Sequence, residues 1–470
     1  MAIEMNERAT VALDPEAVRA FAAELRGPLL EPDDPGYDAA RALQNGMIDR
    51  RPALIVRCSG AADVIAAVNF ARDHDLPLSV RGGGHNVAGN AVCDDGVVID
   101  LSSMRGVHVD PRGRVAYVQG GATWGDLDRE TQVFGLATPG GVVSTTGIGG
   151  LTLHGGMGHL RRKHGLSLDN LLAVDIVTAD GRLRHASADE EPDLFWAVRG
   201  AGSNFGVVTS FEFRLHPVGP TVMLCAAMYA LEDGPAVLRG WRDYIATTPD
   251  DFTPLAVFRS VPDGFPPELV GRPIVILAGV HAGPVEEGER IARPLRELAT
   301  PLLDMSGPMP FAAIQSAFDP FFPKGLRQYW KSTYVESLSD PLIDALCDLA
   351  AARPSSKTTT DIWPQAGAVG RAGGEETGLG PRPPVMLAFE STWPDPADDE
   401  ANIAWARGAW TSMQRFSSRG IYLNFPGFGE EKEALVRAAY GENYPRLRAL
   451  KARFDTANLF RANLNIPPSV

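Results

Sequence analysis

The sequence predicts an α+β protein of two domains, and three observations carry that prediction. Apolar runs at Pro52 to Arg57 and Leu78 to Arg81 flank a helical face at Val64, Val68 and Ala71, which makes a βαβ unit. Beyond Pro217 to Pro220, strand-like and helix-like segments alternate unevenly, as in an α+β layer with a sheet covered on one side. The chain has 470 residues and 44% hydrophobic content, enough for two cores rather than one.

The elements follow in order. Asp14 caps a helix that starts at Pro15 and stops by Gly27. A connector rich in Pro and Asp leads into the βαβ unit. Val97 to Leu101 and Val115 to Gln119 read as further strands, with a helix over Thr123 to Val133. Leu172 to Thr178 leads into a turn at Ala179-Asp180-Gly181. Val207 to His216 alternates apolar and polar faces. The second half offers strands at Pro273 to Val280, Tyr329 to Val335, Thr358 to Trp363 and Val385 to Thr392. Helices are expected near 285–299, 339–352 and 399–413. Residues 366–384 read as an exposed mobile loop.

Glycine turns organise the first half. Arg81 to Asn86 reads RGGGHN, directly after a strand. Consecutive glycines let backbone N–H groups converge on one anion. His85 closes the run and sets an imidazole at the rim of that cradle. Two more such turns follow, Pro139 to Gly150 (PGGVVSTTGIGG) and Gly155 to Gly158 (GGMG). Together they point to a long cofactor bearing a diphosphate. A dinucleotide fingerprint with its downstream acid is absent, which disfavours a nicotinamide dehydrogenase.

Composition narrows the partners. A net charge of −14 excludes a nucleic-acid surface, which would need a basic face. The four cysteines are scattered, without a CxxC, and read as free thiols in a reducing compartment. The N-terminal MAIEMNERATVALD lacks an apolar core, and no run reaches membrane-span length. The expectation is a cytoplasmic protein without a membrane partner. His154, His159 and His164 recur every five residues, which fits no single helical face, and no carboxylate accompanies them. No metal site is expected, and surface or supporting roles are expected for them. Arg161, Arg162 and Lys163 read as a solvated face.

RGGGHNVAG, ATPGGVVSTTGIGGLTLHGGMGHLRRKHGLSLDN, DLFWAVRGAGSNFGVVTSFEF and AYGENYPRLRALKARFDTANLFRANLNIPP, in this order, resemble the berberine-bridge-like flavoprotein oxidases. These belong to the larger vanillyl-alcohol-oxidase type. The match is close in the first half and the tail and loose between. It implies a PCMH-type FAD-binding domain of two α/β subdomains over 1–219, an antiparallel-sheet substrate domain over 220–422, and a C-terminal segment, 423–470, that returns to the first. It implies FAD with its diphosphate along Gly82 to Gly84 and Thr145 to Gly150, and an 8α bond from the flavin to His85. A cysteine that makes a second link in part of the family falls near Val143, so a single covalent bond is expected. The positions expected to hold the cofactor are Arg81, Gly82, Gly83, Gly84, His85, Asn86 and Gly89; Pro139, Gly140, Gly141, Val142, Thr145, Thr146, Gly147, Gly149 and Gly150; Gly155, Gly156 and Gly158; Asp169 and Asn170; Gly206 and Val207; and Asn463 and Asn465. Thr146 lies near the position that governs oxygen access in the family.

The chemistry implied is removal of a hydride from an alcohol, amine or activated C–H of a small molecule, with O2 reduced to hydrogen peroxide. Sugars, alkaloids, polyketides and amines all fit. A base is needed. The family's Y-x-N-Y pattern reads Tyr422-Leu423-Asn424-Phe425 here, and phenylalanine takes no proton. Tyr422 and Asn424 would share one face of a strand, opposite Phe425. Asp361, in TTTDIW, and Glu390, in MLAFESTW, are stronger candidates, because a carboxyl in an apolar strand has a raised pKa or a partner. Salt bridges would account for both equally well. Three other readings stand beside the oxidase: a flavin dehydrogenase using another acceptor, a flavin carrier without chemistry, and a sugar- or nucleotide-binding module without flavin.

Overall fold

The computed structural model describes residues 13–418, 420–428 and 432–469. Most of the N-terminal stretch read for targeting lies outside them. Asp14 caps the helix Pro15–Glu24 as expected, its carboxylate accepting from Glu16 N.

The βαβ unit forms as the sequence indicates. Leu54–Arg57 and Leu78–Arg81 flank the helix Ala61–Asp73, and both pair in parallel with Val97–Asp100 between them. Leu29–Leu30 completes this four-stranded sheet. A second sheet is antiparallel, in the order Val107–Asp110, Val115–Gln119, Val207–Arg214, Leu171–Val177, Leu183–Ser187. Phe211 and Phe213, on the apolar face of Val207–Arg214, are fully buried there. The helix Pro192–Ala201 packs on this sheet with Leu194, Ala197 and Val198 inward.

The third sheet has eight strands, all antiparallel. Its path runs Leu303–Asp304, Thr221–Ala230, Pro273–His281, Phe252–Ser260, Thr359–Pro364, Val385–Trp393, Arg327–Val335. Gly307–Pro310 pairs off this path with Thr221–Ala230. One face is covered by the helices Gly234–Ile245, Val285–Arg296, Asp340–Ala351 and Asp399–Met413. Their Trp241, Leu295, Leu346 and Met413 pack on Ala256, Phe258, Ile362 and Phe389. The alternate residues Leu255, Val257, Asp361 and Glu390 therefore point the other way, into a cavity shared with the glycine turns.

Several expectations need correction. The strands Thr221–Ala230 and Phe252–Ser260 carry no clear alternation, because the sheet is buried on both faces. The loop at 366–384 is not simply exposed: it holds the short helix Ala368–Arg371, and Thr377, Gly378, Leu379 and Gly380 are buried. Gly378 N donates to Trp196 O at 2.8 Å, and Asn443 Nδ2 donates to Gly374 O, Thr377 O and Leu379 O. Arg161 and Arg162 are buried rather than solvated. Arg161 donates to Pro364 O and Pro254 O, and Arg162 to Thr248 and Phe252 O. They tie the helix Arg161–His164 to the third sheet. Of the two roles expected for the histidines, the supporting one fits: His159 is buried, and the half-buried His164 stacks on His216 at 3.8 Å between ring centroids.

The C-terminal segment is anchored by a fully buried ion pair. Lys451 donates to Asp455 (2.7 Å), Asn204 O (2.7 Å) and Phe460 O (2.9 Å). Asp455 in turn accepts from Leu459 N and Phe460 N. This network fixes the turn that brings Phe460, Asn463 and Leu464 to the cavity.

Candidate functional site

The site begins where two glycine turns cross. A Cβ on Gly83 would stand 2.3 Å from Gly147 N, and one on Gly147 would stand 2.3 Å from Gly83 N. Only two glycines allow the backbones to approach so closely. The crossing sets His85 against the second turn. Its Nε2 lies 3.0 Å from Thr145 Oγ1 and its Nδ1 lies 3.3 Å from Thr146 Oγ1. Burial pushes the imidazole pKa down to about 4, so the ring is neutral at pH 7.

The second turn is braced from the third sheet's side. Ser144 donates through N (2.7 Å) and Oγ (2.5 Å) to Asp319. Gln315 donates to Gly141 O (3.2 Å) and to the buried Asp128 (3.1 Å).

The cavity has a volume of ≈ 280 Å³. One wall is backbone and glycine: Gly82, Gly83, Gly84, Gly120, Gly147 and Gly149. The opposite wall is the free face of the third sheet. Thr359 stands opposite Glu390 and Asp361 opposite Ala388, so the two acids are diagonal neighbours on one face. Burial raises both pKa values. Asp361 is pushed up to about 7, with the nearby Arg259 and Arg353 opposing the rise. Glu390 is raised well above the carboxylate range by burial and then by Asp361. Two acids with raised pKa values side by side make a pair suited to proton transfer.

Tyr422 is held differently from the strand expected. Residues 421–428 form turns, with Phe425 N donating to Tyr422 O. Phe425 therefore lines the cavity beside Tyr422 and Asn424 rather than facing away. Tyr422 Oη accepts from Gly156 N (3.1 Å), Met157 N (3.2 Å) and Asn424 Nδ2 (3.0 Å). Gly155 and Gly156, at φ +127° and +92°, make the turn that aims those amides. Burial still raises the phenol pKa, with those donors opposing the rise.

The comparisons bear on this arrangement directly. Residues 52–187 match the model of an FAD binding domain, and residues 421–467 match the model for berberine and berberine-like proteins. The FAD-linked oxidoreductase YgaK of Bacillus subtilis strain 168 is 31% identical over 455 residues, covering 95% of this chain and 98% of its own. The chain belongs to the berberine-bridge-like FAD-linked oxidoreductases. The (R)-6-hydroxynicotine oxidase of Paenarthrobacter nicotinovorans is 32% identical over 460 residues, covering 94% of this chain and 97% of its own. The crystal structure of 6-hydroxy-D-nicotine oxidase from Arthrobacter nicotinovorans superposes with a TM-score of 0.85 at 31% identity, covering 95% of this chain and 98% of that one.

The residues of this berberine-bridge-like chain fit an FAD. The glycine wall excludes side chains where a diphosphate needs backbone amides. Asn463 lines the cavity, and its Oδ1 is buried without a protein partner among the described residues. Of the expected cofactor positions, Gly82, Gly83, Gly84, His85, Asn86, Gly141, Val142, Thr146, Gly147, Gly149, Gly150, Gly206 and Asn463 line the cavity. Arg81, Gly89, Pro139, Gly140, Thr145, Gly155, Gly156, Gly158, Asp169, Asn170, Val207 and Asn465 stand behind it. Arg81 donates to Ala40 O, and Thr145 acts on His85. Asp169 receives a bidentate Arg382, and Asn170 joins His216 to the His164 backbone. Val207 pairs with Val177 in the second sheet. All three acid and phenol candidates, Asp361, Glu390 and Tyr422, line the cavity.

Sequence reasoning missed Arg259, Gln328 and the aromatic strap of Phe318, Phe321 and Phe322, all of which line the cavity. A trace of Arg259 was available: it interrupts the apolar run LAVFRSV. The strap carries no regular pattern. No helix among the described residues is long and apolar enough to cross a membrane.

Proposed function

We propose that this protein is an oxidase that carries FAD bound covalently through His85. The cofactor region is residues 1–219 with 423–470, and 220–422 carry the substrate wall. The observation behind the reading is one cavity with a neutral imidazole at its glycine wall and a buried acid pair on the facing sheet.

A bond from a His85 nitrogen to the flavin's 8α carbon would cost one proton from each partner and two electrons, which O2 would accept. Thr145 and Thr146 orient the ring for that bond. An imidazolyl substituent raises the flavin's potential and prevents its loss. Val143 offers no thiol, so there is no second link. When bound, the flavin supplies the acceptor for a substrate hydride and passes the electrons to O2, giving hydrogen peroxide.

The chain's own residues do the rest. Asp361 takes the proton from the substrate O–H or N–H, and Glu390 beside it helps to raise the pKa of the pair. Tyr422, held by three donors, shapes the turn beside them and is a positioning residue. The substrate is a small molecule, in keeping with the nicotine-derived compound named for the relative. Full reduction with dithionite under argon, followed by air, tests the oxidase reading. Reoxidation within seconds, with one peroxide per flavin, supports it. Reoxidation over many minutes would assign the protein to the dehydrogenases.

A further inference from the structure

The substrate wall sets cationic side chains beside its two acids. Arg259 lies on the strand Phe252–Ser260, is only 7% exposed and lines the cavity. It stands one residue beyond the pair Phe258 and Thr360, on the face that carries Val257 and Asp361. Its guanidinium stacks on Phe321, 3.9 Å from the ring centroid. Its one hydrogen bond among the described residues runs from Nε to Ser260 O at 3.3 Å. Stacking occupies the face of the guanidinium and leaves the edge bearing its terminal N–H groups for in-plane acceptors.

Arg353 adds a second cation. Its Nε and Nη1 are buried without a partner among the described residues. It is close enough to feel Arg259, and both feel Asp361. Lys357 lines the cavity too. Against these stand the two acids Asp361 and Glu390, both with raised pKa values. The terminal N–H groups of Arg259 have no acceptor among the described residues and open on the cavity, where an anion would complete them.

The surrounding walls say what carries that anion. Phe318, Phe321, Phe322, Trp330 and Phe425 line the same cavity. Trp330 meets Phe322 edge-on at 5.7 Å and Phe425 edge-on at 5.1 Å. These rings make a slot suited to a flat apolar body. A guanidinium edge matches the two oxygens of a carboxylate.

We infer that the substrate is an aromatic carboxylic acid, with its carboxylate on the free edge of Arg259 and its ring among these aromatic walls. This rests on the reading of the cavity as the substrate site. Arg259 then selects charge, and Asp361 remains free for the reacting proton.

The test is isothermal titration calorimetry on the full chain as purified, with benzoate and its uncharged analogue benzamide as probes. Benzoate is expected to bind about tenfold or more tighter than benzamide. Arg259→Gln is expected to remove that preference and leave benzamide within about twofold. Arg353→Gln is expected to weaken benzoate in the same direction, which guards against a misfolded first variant. Equal affinities, no benzoate binding up to about 10 mM, or a preference that survives Arg259→Gln would each overturn the inference. Inorganic phosphate competing as strongly as benzoate would overturn the carboxylate in favour of a phosphoryl group. Calorimetry needs no turnover, so the two readings fail separately. A benzoate preference in a protein that never carries flavin would remove the oxidase and leave the anion site. A flavin that reoxidises rapidly without any benzoate preference would do the reverse.

Discussion

Asp128 offers a quantitative test of how the cofactor turn is held. Its carboxyl sits in the helix Trp124–Gln132, 3% exposed, with one donor, Gln315 Nε2 at 3.1 Å. Burial pushes its pKa up to about 7, partly opposed by Gln315. Gln315 also holds Gly141 O, so this contact braces the turn beside His85. The folded state keeps the proton more tightly than the unfolded chain, whose value is near 3.8. The cost of the buried carboxyl is therefore absent below pH 3.8, grows as the pH rises, and is complete above about 7. The interval corresponds to about 4 kcal/mol at pH 8 and less than half of that at pH 5. Asp128→Asn keeps an acceptor for Gln315 and removes the charge. Thermal midpoints of both proteins, measured at pH 5 and pH 8, check the reasoning. The variant's advantage should be clearly larger at pH 8. An equal difference at the two pH values, or a variant less stable at pH 8, would refute the assignment of a buried carboxyl.

The remaining predictions concern the cavity itself. Asp361→Asn should slow flavin reduction by substrate about 10²-fold or more while changing binding much less, as stopped-flow absorbance would show. In the unmodified protein the same rate should fall as the pH drops through about 7, because protonated Asp361 cannot accept a proton. Gly83→Ala puts a methyl 2.3 Å from Gly147 N, a backbone atom that cannot turn aside. It should cost about 3 kcal/mol or more and yield protein with little flavin, measured by the ratio of visible to ultraviolet absorbance.

The sequence makes the first half of the fold legible for a physical reason. Glycine turns need positive φ or backbone contact, and few other residues substitute, so RGGGHN and PGGVVSTTGIGG mark their own geometry. Asp361 and Glu390 were legible because a carboxyl inside an apolar strand is anomalous. Arg161 and Arg162 were misread because clustered charge ordinarily faces water, whereas here backbone carbonyls of the third sheet accept from both side chains. The strand Thr221–Ala230 was missed because burial on both faces erases alternation. The turn at Tyr422 was missed because its shape depends on the distant Gly156 and Met157 amides. Arg259 and the phenylalanine strap come together only when the sheet and the strap meet, and no local pattern encodes that meeting.

The central claim is that His85 bonds to FAD in this cavity. Acid precipitation with intact mass, on the unmodified protein and on His85→Ala, tests it most directly. The account predicts a yellow pellet for the unmodified protein, with the mass raised by one FAD less two hydrogens. It predicts a colourless pellet and a yellow supernatant for His85→Ala. Flavin released by the unmodified protein, or retained by the variant, would contradict it.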